Sequence, residues 1–132
     1  MAVPVLRASK SSEQIEAFPA PMVLSRAWLT RLAGITNPEN LRFFNVFDDG
    51  MQPTFARGDV LLVDVGVREA AQDGVHLLQA HGRTHVRRLR IRIDGSAELS
   101  EDSPTSRTVE TLAVATLKIT ARVVWVWAGR PI

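Results

Sequence analysis

The stretch Phe47-Asp48-Asp49-Gly50-Met51-Gln52-Pro53-Thr54-Phe55, followed by Gly58-Asp59 and the run Val60-Leu61-Leu62-Val63-Asp64, decides how this chain is read. The run is continuous and apolar, as in a buried strand. The segment before it is compact and polar. It offers two adjacent carboxylates, then a glycine that brings no side chain, then a proline.

Working outward, the chain passes from helix to strand. Leu24 to Gly34 reads as a short helix: Ser25 caps the free amides of its first turn, Leu24 and Leu29 staple across that cap, and Trp28, Leu29 and Leu32 share one face. Gly34 supplies a left-handed stop. Asn37-Pro38-Glu39-Asn40 forms a capped turn, with Pro38 suited to a first helical position. Strands are predicted over Leu41–Phe47, Val60–Val65, Val75–Ala80 and Arg83–Ile93, the last two joined by a tight turn at His81-Gly82. Asp94-Gly95 is a stronger hairpin signal and returns the chain into Ser96–Ser100. Glu101 to Arg107 is polar loop. Val114 to Trp127 is rich in β-branched residues and tryptophan and should hold the last strand or strands. Residues 1–20 show no sustained period and read as a linker or N-terminal arm, leaving 21–132 as the domain.

Composition narrows the chemistry. A chain of 132 residues favours one domain. It has no cysteine, which excludes disulfides, thiolate metal sites and a cysteine nucleophile and suits a reducing cytoplasm. Fourteen of the sixteen basic residues are arginine, so a lysine-dependent mechanism has only Lys10 and Lys118 to draw on. A net charge of +2 is too small to imply nucleic-acid binding by this chain itself. No signal peptide is visible, and no apolar run approaches the roughly 20 residues of a membrane helix.

The segment Thr84 to Ile93 carries the sharpest local signal. Side chains alternate faces along a strand. His85, Arg87, Leu89, Ile91 and Ile93 share one face, which should turn to the core. Val86, Arg88, Arg90 and Arg92 share the other, which should turn to water. Arg87 breaks the pattern, because a charge on the core side costs several kcal/mol unless it is paired or reaches an opening. Either the strand bulges at its start and leaves Arg87 at the rim, or Arg87 reaches an acidic partner.

Taken together these segments resemble the LexA-like and phage-repressor self-cleaving peptidases. Their nucleophile segment reads Gly-Asp-Ser-Met-Glu-Pro-Thr, then Gly-Asp and a Val/Leu strand; here Asp48, Asp49, Gly50, Met51, Gln52, Pro53, Gly58 and Asp59 stand in that frame. Val86-Arg87-Arg88-Leu89 resembles their Val-Lys-Arg-Leu, whose lysine is the general base of a Ser–Lys dyad. Ser100-Glu101-Asp102-Ser103-Pro104 is similar to their Ser-Asp-Asn-Pro loop, and Ala121-Arg122-Val123-Val124-Trp125 to their final strand. The resemblance covers about residues 20–132. It places Gly50 at the serine and Arg87 at the lysine. Glycine cannot attack a carbonyl, and arginine stays charged where a desolvated lysine can release its proton. No Ala-Gly or Cys-Gly cleavage site is evident between Met1 and Ala20, and Ala33-Gly34 reads as a helix end.

The resemblance therefore implies a mainly β, LexA- and signal-peptidase-like domain of strongly bent sheets with a short N-terminal helix. By the same resemblance it is a C-terminal regulatory and dimerisation domain of a phage- or prophage-type repressor, with catalytic positions Gly50 and Arg87 both degenerate. Arg87 is expected to reach toward Gly50 and pair with Asp48 or Asp49. The partners implied are a second copy, DNA only through a separate N-terminal helix-turn-helix domain, and a RecA filament; no cofactor, metal or membrane is expected. The alternative is an active or engineered-inactive autopeptidase, and a third reading is a module forming mixed dimers with an intact repressor. His76, His81 and His85 lie around one hairpin without a carboxylate cluster and are read as surface or packing residues. Lys118 is expected in a strand far from Arg87. Trp125 and Trp127 share a strand face and belong either to the core or to a dimer contact.

Overall fold

A computed structural model describes residues 1–6, 22–32, 34–106, 108–128 and 132. One antiparallel sheet dominates it. Its strands are β3 (Leu41–Asn45), β4 (Val60–Asp64), β5 (Gly74–Ala80), β6 (Arg83–Ile91), β7 (Ser96–Ser100), β8 (Val109–Ala113) and β9 (Ile119–Trp127). They lie side by side in the order β3-β4-β9-β5-β6-β7-β8. The last strand is thus central, inserted between β4 and β5. Among the described residues no helix is long and apolar enough to cross a membrane.

β4 is buried on both faces, which explains why it is apolar at successive positions rather than alternating. Phe44, Leu61, Val63, Val75, Leu77, Val86 and Ala121 form the core of one face, joined by Met51 and Phe55 from the loop between β3 and β4. The other face carries two clusters. Leu41, Phe43, Val60 and Leu62 pack with Val3 and Leu29; Leu78, Leu89, Ala97, Leu99 and Ile119 form the second.

The first six residues belong to this packing. β1 (Ala2–Val3) pairs with β2 (Met22–Val23), and Val3 is fully buried. Pro4 O accepts from Phe43 N at 2.9 Å, so the arm covers the free edge of β3. The rest of the predicted linker, 7–20, lies outside the described residues. The helix is shorter than the sequence suggests: α1 is Arg26–Leu29, with Ser25 Oγ accepting from Trp28 N at 3.4 Å. Gly34 keeps its left-handed conformation (φ 74°), in a turn beyond the helix rather than as its stop. Asn37 caps the short 3-10 turn Pro38–Asn40 as expected.

The β5–β6 turn has positive φ at both His81 (53°) and Gly82 (72°), the geometry of a type I′ hairpin. The β6–β7 turn holds a correction. It is a three-residue loop, Ile93-Asp94-Gly95, closed by Arg92 N donating to Ser96 O at 2.8 Å. Ile93 is therefore ejected into solvent instead of facing the core. The expected division of β6 also fails in its first half. Thr84 and Val86, on the face assigned to water, are buried, because β6 is an interior strand with packing on both sides. Val114–Thr116 is a 3-10 turn, not strand, and β8 forms between the predicted polar loop and the predicted last strand.

Candidate functional site

The loop between β3 and β4 is held at its base and plugged at its tip. Val46 N donates to Asp59 O at 2.9 Å, and Gly58 N donates to Val46 O at 3.1 Å. Met51 and Phe55 are buried in the first-face core, a contribution of roughly 1.5–3 kcal/mol each. The carboxylates organise the loop from within. Asp59 Oδ2 accepts from Ala56 N at 2.9 Å, Asp49 Oδ1 from Arg57 N at 3.0 Å, and Asp48 Oδ1 from Gly50 N at 3.2 Å. The Gln52–Pro53 peptide is cis.

Three successive residues after β7 close over this loop. Ser103 N donates to Gly50 O at 2.9 Å. Asp102 takes two hydrogen bonds from Arg88, from Nε at 2.8 Å and Nη2 at 2.7 Å, and a short one from Thr54 Oγ1. These donors hold the Asp102 carboxyl below the usual carboxylate range, Arg88 contributing most. Glu101 lies over Gly50. A Cβ built on Gly50 would sit 2.9 Å from Glu101 Cδ and closer still to Oε2. That same oxygen is 3.8 Å from Arg87 Nη1, with both side chains about one-quarter exposed. Glu101 Oε1 accepts from Ser106 Oγ at 3.1 Å.

Gly50 and Arg87 are thus brought together, through an intermediary that sequence reasoning missed. The expected pairing of Arg87 with Asp48 or Asp49 is wrong. Both aspartates are turned into their own loop, and Glu101 takes the role. The β6–β7 register makes the contact: Arg88 pairs with Ser100, so one further step sets Glu101 across from Arg87, whereas a two-residue turn at Asp94-Gly95 would set it across from Arg88.

Arg87 also lines a cleft of about 510 Å³, with Leu78, His85, Leu99, Glu110 and Leu117 among its walls. Lys118, expected to be remote, lines the same cleft, just before β9. Thr116 supplies the one hydroxyl among the lining residues, and it donates to Ala113 O at 2.7 Å.

His76 is fully buried in β5 and its pKa is lowered, chiefly by loss of water. Its cross-strand neighbours are Arg122 on β9 and Arg87 on β6. Arg122 is in turn opposite Asp64 on β4, so a polar row crosses four strands. Asp64 accepts from Thr36 N at 2.7 Å, Thr36 Oγ1 at 2.8 Å and Gly66 N at 2.9 Å. His81 occupies the hairpin turn. Among the described residues no group of three or more His, Asp or Glu is placed to hold a metal ion.

Trp125 and Trp127 separate in role. Trp127 lies 5.6 Å from Phe43 and 5.8 Å from Trp28, centroid to centroid, in the second-face core. Trp125 meets Trp28 edge-on at 5.4 Å and remains 44% exposed.

No curated protein matches the chain significantly. Residues 4–124 match the Peptidase S24-like family. The match takes in the loop at Gly50, the strand at Arg87 and the covering segment at Glu101. The all-antiparallel sheet of the fold agrees with it. The chain belongs to the Peptidase S24-like family, that of the LexA and phage-repressor C-terminal domains.

Proposed function

We propose that this domain is a non-cleaving regulatory and self-association domain of a phage-type repressor. Members of the family are normally peptidases. One observation carries the departure: the Glu101 carboxylate fills the space that a side chain at Gly50 would need, and Arg87 faces that same oxygen. An oxygen nucleophile has no room there while Glu101 stays. A guanidinium cannot take its proton at any accessible pH. The cleft's own hydroxyl, Thr116, is engaged with Ala113 O, which argues against a substitute nucleophile beside Lys118.

On this reading the domain's partners are a second copy and, through a separate DNA-binding domain, an operator; a RecA filament has no cleavage to stimulate. Its setting is the cytoplasm. The test is incubation of the chain, joined to its native upstream sequence, at alkaline pH, with mass spectrometry of the products. An intact chain is the expected result. A discrete cut would restore the peptidase reading, and an uncut chain in which Arg87→Lys with Gly50→Ser generates cleavage would identify these two positions as the lost dyad.

A further inference from the structure

The two edges of the sheet are treated differently. β3 is covered by the N-terminal arm, through Phe43 N to Pro4 O at 2.9 Å and a hydrogen bond from Leu6 N to Phe43 O. β8 ends the strand order at the other side, and all five of its residues are exposed. Val109 and Leu112 are among the few large apolar side chains left in water, at 57% and 41%. Edge strands are ordinarily guarded by lysine, proline or a bulge. Val109-Glu110-Thr111-Leu112-Ala113 has none of these and only one charge.

The register shows which backbone groups face outward. Ser96 is opposite Ala113, and Val114 N donates to Gly95 O at 3.0 Å. That bond runs between the residues flanking the pair, so Ala113 and Ser96 do not exchange hydrogen bonds themselves. Alternation along the ladder then turns the N–H and C=O of Val109, Thr111 and Ala113 away from β7. Among the described residues these groups meet no backbone partner; Ala113 O accepts from Thr116 Oγ1 at 2.7 Å, which uses one of its two lone pairs and leaves the other for a strand partner.

We propose that β8 is a homotypic interface: a second copy of this chain adds its own β8 antiparallel across a two-fold axis through Thr111. The sequence is complementary to itself in that register. Thr111 meets Thr111 and Val109 meets Ala113, each an outward-facing pair able to exchange two hydrogen bonds. Glu110 meets Leu112, so like charges are never directly opposed. A shift of the centre by one position, onto Glu110, would set two carboxylates against each other. The two sheets would join into one continuous sheet. One short strand per copy falls below the ~1,200 Å² of stable complexes, so assembly is concentration-dependent. This gives an address to the self-association in the proposed function, and it can fail while that reading stands.

The absence of cysteine makes the geometry directly testable. In a hydrogen-bonded antiparallel pair the Cα atoms are about 5.5 Å apart, within the roughly 4.4–6.8 Å that a disulfide spans. Thr111→Cys should therefore form a covalent dimer under mild oxidation at least tenfold faster than Gln72→Cys, an exposed site off the strand. Val109→Cys and Ala113→Cys should cross-link when mixed, and neither should do so alone. Thr111→Pro, which removes an outward N–H, should weaken self-association at least tenfold in sedimentation while the melting transition persists. A sedimenting dimer whose Thr111→Cys form links no faster than the control would overturn this interface and leave the regulatory reading intact. A chain monomeric at all concentrations, or a Thr111→Cys adduct in lysate with a different protein alone, would overturn the second copy as occupant.

Discussion

Replacing Gly50 with alanine tests the contact that organises the site. The φ of Gly50 lies outside the left-handed region, since a positive value is recorded only for other glycines. Alanine is therefore compatible with the backbone, and by restricting the unfolded chain it should stabilise by about 0.4–1 kcal/mol. Against this, the new Cβ overlaps the Glu101 carboxylate. That group ends a flexible side chain, so it swings away rather than straining the fold. It then gives up Arg87, a partly exposed pair worth about 0.2–1 kcal/mol, and the hydrogen bond from Ser106, about 0.5–1.5 kcal/mol. Gly50→Ala alone should come out near neutral or destabilising by up to about 2 kcal/mol. In a Glu101→Ala background the obstruction is gone and only the entropic gain remains. The same substitution should then stabilise, a coupling of about 1–2 kcal/mol in the double-mutant cycle. Urea unfolding followed by tryptophan fluorescence reads this as a midpoint shift of roughly 0.5–1 M between the backgrounds. Equal effects in both would refute the idea that Glu101 occupies the space above Gly50.

Asp102→Asn keeps the shape of the clamp but removes its charge; with Arg88 43% exposed, a loss of about 1 kcal/mol is expected in urea unfolding. The Asp102 pKa is lowered in the fold, so its stabilisation is complete above the ordinary aspartate value and is lost as pH falls through the folded one. The variant should accordingly show a shallower acid unfolding limb. His76 has the opposite chemistry and a different window. Its folded pKa is lowered by burial, so the unfolded chain takes up the proton first; stability should be complete above about pH 6.5 and decline as pH falls below it. His76→Gln should flatten that decline in thermal melts between pH 7.5 and 5. Asp64→Ala strands the Thr36 and Gly66 donors and should cost at least about 2 kcal/mol, with faster hydrogen exchange at the Thr36 amide.

Much of the fold was legible because its signals are local. The β5–β6 hairpin follows from His81-Gly82, β4 from its apolar run, and the first turn of α1 from Ser25. β8 escaped because all five residues are exposed; with neither face buried, Val109-Glu110-Thr111-Leu112-Ala113 has no alternation to read. β1 and β2 are two residues each, too short to carry a period. Their existence depends on Val3 finding a core built by Leu29, Phe43 and Leu62. Within the candidate site, Gly50 and Arg87 stood out because each departs from what its surroundings ask for. Glu101 did not. It meets Gly50 from 51 positions away, and nothing in its neighbourhood sets it apart from an ordinary loop acid.

Whether Glu101 or another residue meets Arg87 comes down to one residue in a turn. Asp94-Gly95 invites a two-residue hairpin, which would pair Ile93 with Ser96 and, counting back, Arg88 with Glu101. The chain instead spends a third residue, with Gly95 left-handed (φ 84°) and Ser96 bonded to Arg92. This is the arrangement of a loop that ends in a glycine bulge. Every pair moves by one, so Arg88 meets Ser100 and Glu101 comes opposite Arg87. A one-residue slip exchanges the faces of a strand. It buries Ala97 and Leu99 in the second-face core, ejects Ile93, and hands Asp102 to Arg88 and Glu101 to Arg87. Deleting Ile93 should leave Asp94-Gly95 as a two-residue turn between the same flanking pair, Arg92 and Ser96, so Ala97 and Leu99 should keep their burial and Glu101 its place across from Arg87. The burial of those two side chains is what selects the longer loop, and the Glu101–Arg87 pair follows from it.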